Sequence, residues 1–393
     1  MPASTGSGNR DEATYTLTVL ERIGDVDAEV WDAMLGDGPD ATPFLEHAFL
    51  SSLEEAGTLD RETGWITRIP VLSRGDKIVA AVPAFIKLHS MGEFVFDHAW
   101  AHLSETLGLR YYPKLVVGAP YTPATGRRFL SAPGEDRKKL VPILGQALAE
   151  LAEAFELSSV HVNFATEEEV ELLAQAGYLT RLGIQYHWKR QGAETFDDYL
   201  GRFNSKRRNQ LKRELRAPGE QGVEIEILRG EALKGQAELA FELYLSTIEK
   251  LVWGRRYLNL EVFERWTETM SHAMELVVAR LEGKVIAGAV NFARGQNLYG
   301  RYWGCFEELK HLHFNVCYYE GIRSCIERGL ETFEPGAGGE HKLVRGFTPT
   351  LTRSAHWLVH PQMREMIGAH LVREREAVIA ERQAMEEAMG RKN

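Results

Sequence analysis

One order of helix and strand patterns occurs twice in this sequence, and it limits the fold more than any single motif does. After a strand-like run at 15–20, helical spacing covers 25–35 and 43–56, the second opening on Pro43 and stopping before Gly57. Two β-rich runs, 65–73 and 77–88, are joined by the turn signal Arg74-Gly75-Asp76, and 114–117 is a further strand leading into Gly118-Ala-Pro-Tyr-Thr-Pro123. An amphipathic helix over 136–155, an alternating strand at 159–164, a helix capped by Thr166 and stopped by Gly177, and a strand at 186–189 complete the first half. From Val223 the order returns: strand 223–228, helices 231–250 and 260–274, strands 276–281, 285–292 and 298–304, helix 314–328, a strand at Thr332-Phe333, another at 354–359 and a long charged helix over 361–389.

A duplicated β-α-α-β-β-β-α-β-α-β order predicts an α/β (α+β) protein of two mixed, twisted sheets flanked by helices, with ligands where strand ends splay. At 393 residues the chain is long enough for two such cores. We place a disordered tail at 1–14, an N-terminal domain at 15–192, a basic interdomain helix at 193–220, and a C-terminal domain with a long terminal helix at 221–393. Three cysteines without C-x-x-C spacing, no apolar leader and no apolar run long enough for a membrane span point to the cytoplasm. A net charge of −10 argues against DNA as a partner and leaves room for a local basic patch.

That patch is Phe203-Asn-Ser-Lys-Arg-Arg-Asn-Gln-Leu-Lys-Arg-Glu-Leu-Arg216, where six lysines and arginines meet one glutamate. On a helix, Arg208, Lys212 and Arg216 form an i, i+4, i+8 row and Lys206, Asn209 and Arg213 share a side, so Lys206, Arg207, Arg208, Lys212 and Arg213 are candidate contacts to an RNA backbone. A solvated face pairing with acidic neighbours is the plainer alternative. Trp253-Gly-Arg-Arg-Tyr-Leu258 offers Trp253 and Arg255 to stack a base or clamp a carboxylate, or simply turns a helix corner. In Tyr299-Gly-Arg-Tyr-Trp-Gly-Cys305, strict alternation puts Tyr299, Arg301 and Trp303 on one face and Gly300, Tyr302 and Gly304 on the other, with Arg301, Tyr302 and Trp303 as candidate substrate contacts. His98/His102 and His311/His313 lack a third grouped ligand, so no metal is assigned. Walker A, Rossmann G-x-G-x-x-G and G-x-S-x-G motifs are absent.

The richest stretch is Phe333-Glu-Pro-Gly-Ala-Gly-Gly-Glu-His-Lys-Leu-Val-Arg-Gly-Phe347. Glu340 and His341 are candidate proton acceptors, Lys342 and Arg345 candidate partners for carbonyl or carboxylate charge, and Gly338 and Gly339 candidate backbone donors. Its apolar frame, Phe333, Leu343, Val344 and Phe347, argues that these groups are held in place.

With this stretch, the basic run, Tyr299–Gly304 and His356-Trp357, the chain resembles the FemAB-like N-acyltransferases, built from two tandem acetyltransferase-like (GNAT) domains; the resemblance spans about 15–375. It implies an acyltransferase that moves an aminoacyl group from aminoacyl-tRNA, as co-substrate, to a small-molecule or peptide amine by direct attack, without a bound cofactor. An acetyl-CoA GNAT carries [Q/R]-x-x-G-x-[G/A] after its fourth strand; here Phe306-Glu-Glu-Leu-Lys-His-Leu-His313 stands there, which favours a donor other than acetyl-CoA. Acyl-CoA as donor, or a GNAT-like scaffold that binds RNA or peptide without turnover, are the alternatives.

Overall fold

The computed structural model describes residues 15–250 and 255–390, so the tail assigned to 1–14 lies outside the described residues. Both halves are mixed sheets covered by helices, and the two sheets are continuous. Eleven strands run in the order Val223–Arg229, Met274–Leu281, Lys284–Arg294, Asn297–Cys305, Thr332–Glu334, Leu179–Lys189, Thr348–Leu358, Ser159–Val162, Lys114–Val117, Ala84–Lys87 and Trp65–Thr67. A second sheet of four strands holds Thr16–Leu20, Ile69–Arg74, Lys77–Ala81 and Leu130–Ser131. The run read as one strand at 77–88 changes sheet at Val82-Pro83, where proline cannot donate to a ladder.

The two halves exchange their last strands. Thr348–Leu358 lies between Ser159–Val162 and Leu179–Lys189, antiparallel to both, with Thr348 opposite His187 and Ala355 opposite both Val162 and Thr180. Leu179–Lys189 in turn pairs through Trp188 and Lys189 with Phe333 and Thr332. Residues 335–347 therefore cross over Leu179–Lys189 at the level of His187, and both ends of the glycine-rich stretch are fixed by the same strand. The terminal helix Pro361–Gly390 packs back on the first half, where Arg181 holds Glu374 through both of its oxygens, at 3.0 and 2.9 Å. Strand 354–359 and helix 361–389, expected with the C-terminal domain, thus complete the sheet and cover of the N-terminal one.

The principal core is shared as well. Phe49 on His47–Glu55 stacks on Trp266 of Leu260–Thr269 with centroids 4.9 Å apart and planes 12° apart, and Phe44 meets Phe292 and Tyr299 edge-on. All five rings are essentially excluded from water. Among the described residues no helix is long and apolar enough to cross a membrane. Because this core belongs to both halves, Phe49→Ala is expected to cost about 3–5 kcal/mol and to lower one common unfolding transition in urea; two separate transitions, with only the first displaced, would show the halves to be independent.

Candidate active site

The site begins where two parallel strands part. Asn297–Cys305 and Thr332–Glu334 are in register only over Asn297/Thr332, Leu298/Phe333 and Tyr299/Glu334. Beyond them the chain after Glu334 turns away and a wedge opens between 300–303 and 335–339. At its apex the backbones touch: a Cβ on Gly300 would stand 3.2 Å from the Cα of Pro335. The glycines of this strand therefore serve the approach of protein backbone, since a Cβ on Gly304 would likewise collide with the carbonyl of Leu243.

A β-bulge corrects the alternation expected of this strand. Val290 pairs with Tyr302 and Asn291 with Gly300, leaving Arg301 as the extra residue. The phase resets there, so Tyr299 and Tyr302 both enter the shared aromatic core, Tyr302 against Tyr244 at 5.2 Å, while Trp303 lies on the opposite face against His313 at 5.0 Å. Arg301 is aimed into the wedge. Its Nη2 donates to the carbonyl of Tyr121, and its guanidinium sits 5.6 Å from the Phe44 ring and 5.2 Å from that of Tyr302. Burial pulls its pKa down, and no described carboxylate lies within ion-pair distance of it.

The wedge has a chamber on each face of the sheet, and the two share part of their walls. On the face of helix Glu320–Arg328 and the π-helical turn Asn315–Tyr319 lies an inner chamber of about 270 Å³, lined by Asn291, Trp303, His313, Cys317, Tyr318, Gly338, Gly339, His341 and Lys342. On the face of helix Ala237–Ile248 lies an outer chamber of about 440 Å³ with Phe94, Tyr121, Tyr244, Arg255 and Tyr257. Arg301, Tyr302, Trp303, Pro335 and Ala337 line both. The corresponding gap in the first half, beyond the parallel pairing of Leu115–Val117 with Val160–Val162, is filled by protein: Arg128 is fully buried there and donates through Nε to the carbonyl of Asn163 at 2.8 Å.

The four loop residues singled out from sequence separate into different roles. Lys342 is buried in the inner chamber, donates to the carbonyl of Gly336 at 2.7 Å, and has no described carboxylate within ion-pair distance; burial pushes its pKa down to about 8. His341 Nε2 is hydrogen-bonded to the Tyr318 hydroxyl at 2.8 Å, and burial, then Arg345 and Lys342, lower its pKa and keep the ring neutral. Glu340 does not line either chamber. It faces a separate cavity under the end of the terminal helix, with Arg207, Leu343 and Met385. Arg345 is committed elsewhere: Nε and Nη2 donate to Glu214 Oε2 at 3.1 and 2.8 Å, Nη1 donates to the carbonyl of His341 at 2.8 Å, and the guanidinium lies 3.4 Å from the Phe314 ring centroid. It positions the loop, and its charge is already neutralised by Glu214. Gly338 and Gly339 turn the backbone at the chamber lip with φ of 73° and 90°. Cys317 is held as a thiol because burial raises its pKa, which removes its thiolate as a nucleophile. Trp253 lies outside the described residues.

The basic run forms the helix Ser205–Glu220, capped by Asn204, and presents fewer free cations than its composition promised. Arg208 is turned back onto the preceding helix, donating to the carbonyls of Leu200 and Phe203 at 3.2 and 2.9 Å. Arg207 donates to Gln210 at 2.9 Å. Lys206, Lys212, Arg213 and Arg216 remain exposed, Arg216 within 3.8 Å of Glu220, and Arg213 and Arg216 line a groove of about 760 Å³ with Lys310, His311, Glu214 and Glu220. His311 and His313 are thus not a metal pair: one faces the groove and the other the inner chamber, two residues apart, with His313 driven by burial down to about 4.

A model of the family described as peptidoglycan biosynthesis/recognition, FemAB-like, matches residues 22–393. The chain belongs to the FemAB-like family. Among solved structures, FemX is 13% identical with a TM-score of 0.53, over 89% of this chain and 100% of that one. The C-terminal domain (DUF2156) of a putative lysylphosphatidylglycerol synthetase from Agrobacterium fabrum is 10% identical with a TM-score of 0.54, over 89% and 96%. At these identities the likeness establishes the fold alone. No curated protein matches the chain by sequence.

Sequence reasoning overlooked Tyr121, Tyr257, Asn291 and Tyr318. The signal for Tyr121 lay in Gly118-Ala-Pro-Tyr-Thr-Pro123, a proline-braced turn; its φ of 56° is an unusual conformation for an aromatic residue and presents its carbonyl to Arg301. Arg345→Met is expected to strand Glu214 as an unpaired buried carboxylate and cost about 3–5 kcal/mol, read as a fall in the urea midpoint; a midpoint unchanged from wild type would show the pair to be dispensable.

Proposed function

We propose that this protein is an N-aminoacyltransferase that brings aminoacyl-tRNA and an amine acceptor together in the wedge and transfers the aminoacyl group by direct attack. The observation that carries the reading is Lys342: a buried amine, near neutrality in its pKa, in a chamber without a lining carboxylate among the described residues. A base with a pKa close to the working pH is suited to take the proton of an attacking amine. The acceptor nitrogen forms the new C–N bond to the ester carbonyl, Lys342 takes its proton, the C–O bond to the ribose breaks, and the proton passes to the departing oxygen. In this reading the backbone N–H groups of Gly338 and Gly339, which line the chamber, receive the carbonyl oxygen as it gains charge.

The donor side follows from charge. The exposed cations Lys212, Arg213 and Arg216 and the groove with Lys310 lie on the same side of the sheet as the inner chamber, so an RNA backbone along the helix would deliver its acylated end past His311 and His313. Replacing Lys212, Arg213 and Arg216 by Gln together is expected to weaken tRNA binding and reduce the slope of log K against log salt by about 2–3; a slope equal to wild type would remove the helix from RNA binding. Lys342→Met is expected to lower transfer by about 100-fold or more with tRNA affinity retained. In the wild type the rate should fall as pH drops below about 8, because Lys342 then carries its own proton. Transfer by Lys342→Met at the wild-type rate would take this residue out of the mechanism, and turnover with acyl-CoA but not aminoacyl-tRNA would replace the donor.

A further inference from the structure

The outer chamber has a chemistry of its own. Its aromatic walls are built with care: Tyr257 stacks on Tyr121 at 5.1 Å and 21°, the Tyr121 hydroxyl donates to the carbonyl of Thr58 at 2.6 Å, and the Tyr244 hydroxyl accepts from the backbone N–H of Tyr257 at 2.8 Å. These contacts fix the rings before any ligand arrives. In a protein with a net charge of −10, the described residues lining this chamber include two arginines, Arg255 at the exposed rim and Arg301 at the inner end, and no carboxylate. Arg301 is half-buried, and its protein acceptors among the described residues are the carbonyl of Tyr121 and the Tyr302 hydroxyl, neither of them charged. A guanidinium placed between two rings, with donors left over and no acid to meet them, is a receptor for a planar anion.

The geometry points to an acceptor that carries a carboxylate: a free amino acid or short peptide with an apolar or aromatic side chain, its carboxylate on Arg301 and its side chain against the wall formed by Tyr121, Tyr257 and Tyr244. This rests on the transferase reading for the word acceptor, and it adds the substrate class that reading lacks. The placement is consistent with the donor lying on the other face: a carboxylate held at Arg301, which lines both chambers, leaves the amine of the same molecule free to reach through the wedge toward Lys342. A chamber of about 440 Å³ accommodates a molecule of this size and excludes a folded partner.

The test needs no donor. Binding of L-phenylalanine, L-phenylalaninamide and phenyl phosphate to the full chain is measured by calorimetry. The acid is expected to bind about 10- to 100-fold more tightly than the amide, the range of a charge-assisted pair. Arg301→Met should erase that ratio while leaving the amide affinity in place, and Arg255→Gln should reduce it only in part. Equal binding of acid and amide by the wild type, absence of any binding of the acid at up to about 10 mM, or a preference for phenyl phosphate would each overturn the proposal, and none of these depends on how Arg301→Met folds. Failure of transfer with every acyl donor would instead sink the transferase reading and leave a preference for the acid standing.

Discussion

Glu214, the single acidic residue in the basic run, decides where the loop of the site lies. Its Oε2 receives Arg345 through two nitrogens and the Tyr319 hydroxyl at 2.5 Å, while Oε1 receives Gln210 at 3.1 Å. One carboxylate thus ties together the basic helix, the π-helical turn and the crossover loop. Two ions removed from water are tolerated because every oxygen lone pair in reach is met. Through the carbonyl of His341, Arg345 then fixes the residue next to Lys342, so the depth of the lysine in its chamber is inherited from the ion pair.

The contrast between the two cations of that loop is the electrostatic basis of the site. Arg345 is buried with a carboxylate and serves structure; Lys342 is buried without one and is pushed toward neutrality. The same protein that satisfies charge at Glu214 leaves the wedge unneutralised at Lys342 and Arg301. Unneutralised buried charge costs stability wherever it occurs; Lys87 and Arg128 in the first half are buried without an ion pair as well, and what distinguishes the wedge is that two such cations line one chamber.

Much of this was legible in the residues. The duplicated order placed the elements, and the polar loop framed by Phe333 and Phe347 located the inner chamber, because a segment with so few apolar side chains cannot be core. What escaped was set by tertiary pairing. Strand Leu179–Lys189 was recognised only at its buried end, since Thr180, Arg181 and Gly183 carry no alternation of their own and take their conformation from Thr348–Leu358; a Cβ on Gly183 would stand 2.8 Å from Thr352 Oγ1. The bulge at Arg301 is likewise invisible locally, because it exists only relative to Val290 and Asn291 across the ladder. Arg208 and Arg345 were counted as free by charge alone, and each proved to have its acceptors in neighbouring turns.

The exchange of last strands also governs the order in which the chain can fold during synthesis. Ser159–Val162 and Leu179–Lys189 have no common neighbour until residues 348–358 arrive between them. In a chain that has emerged only through its first half, Ser159–Val162 therefore has one unpaired edge and Leu179–Lys189 has neither of its partners, since 332–334 and 348–358 are both still to come. Such edges are templates for wrong partners, and contacts of this sequence separation form late. The N-terminal sheet is thus complete only when its C-terminal strand has been made.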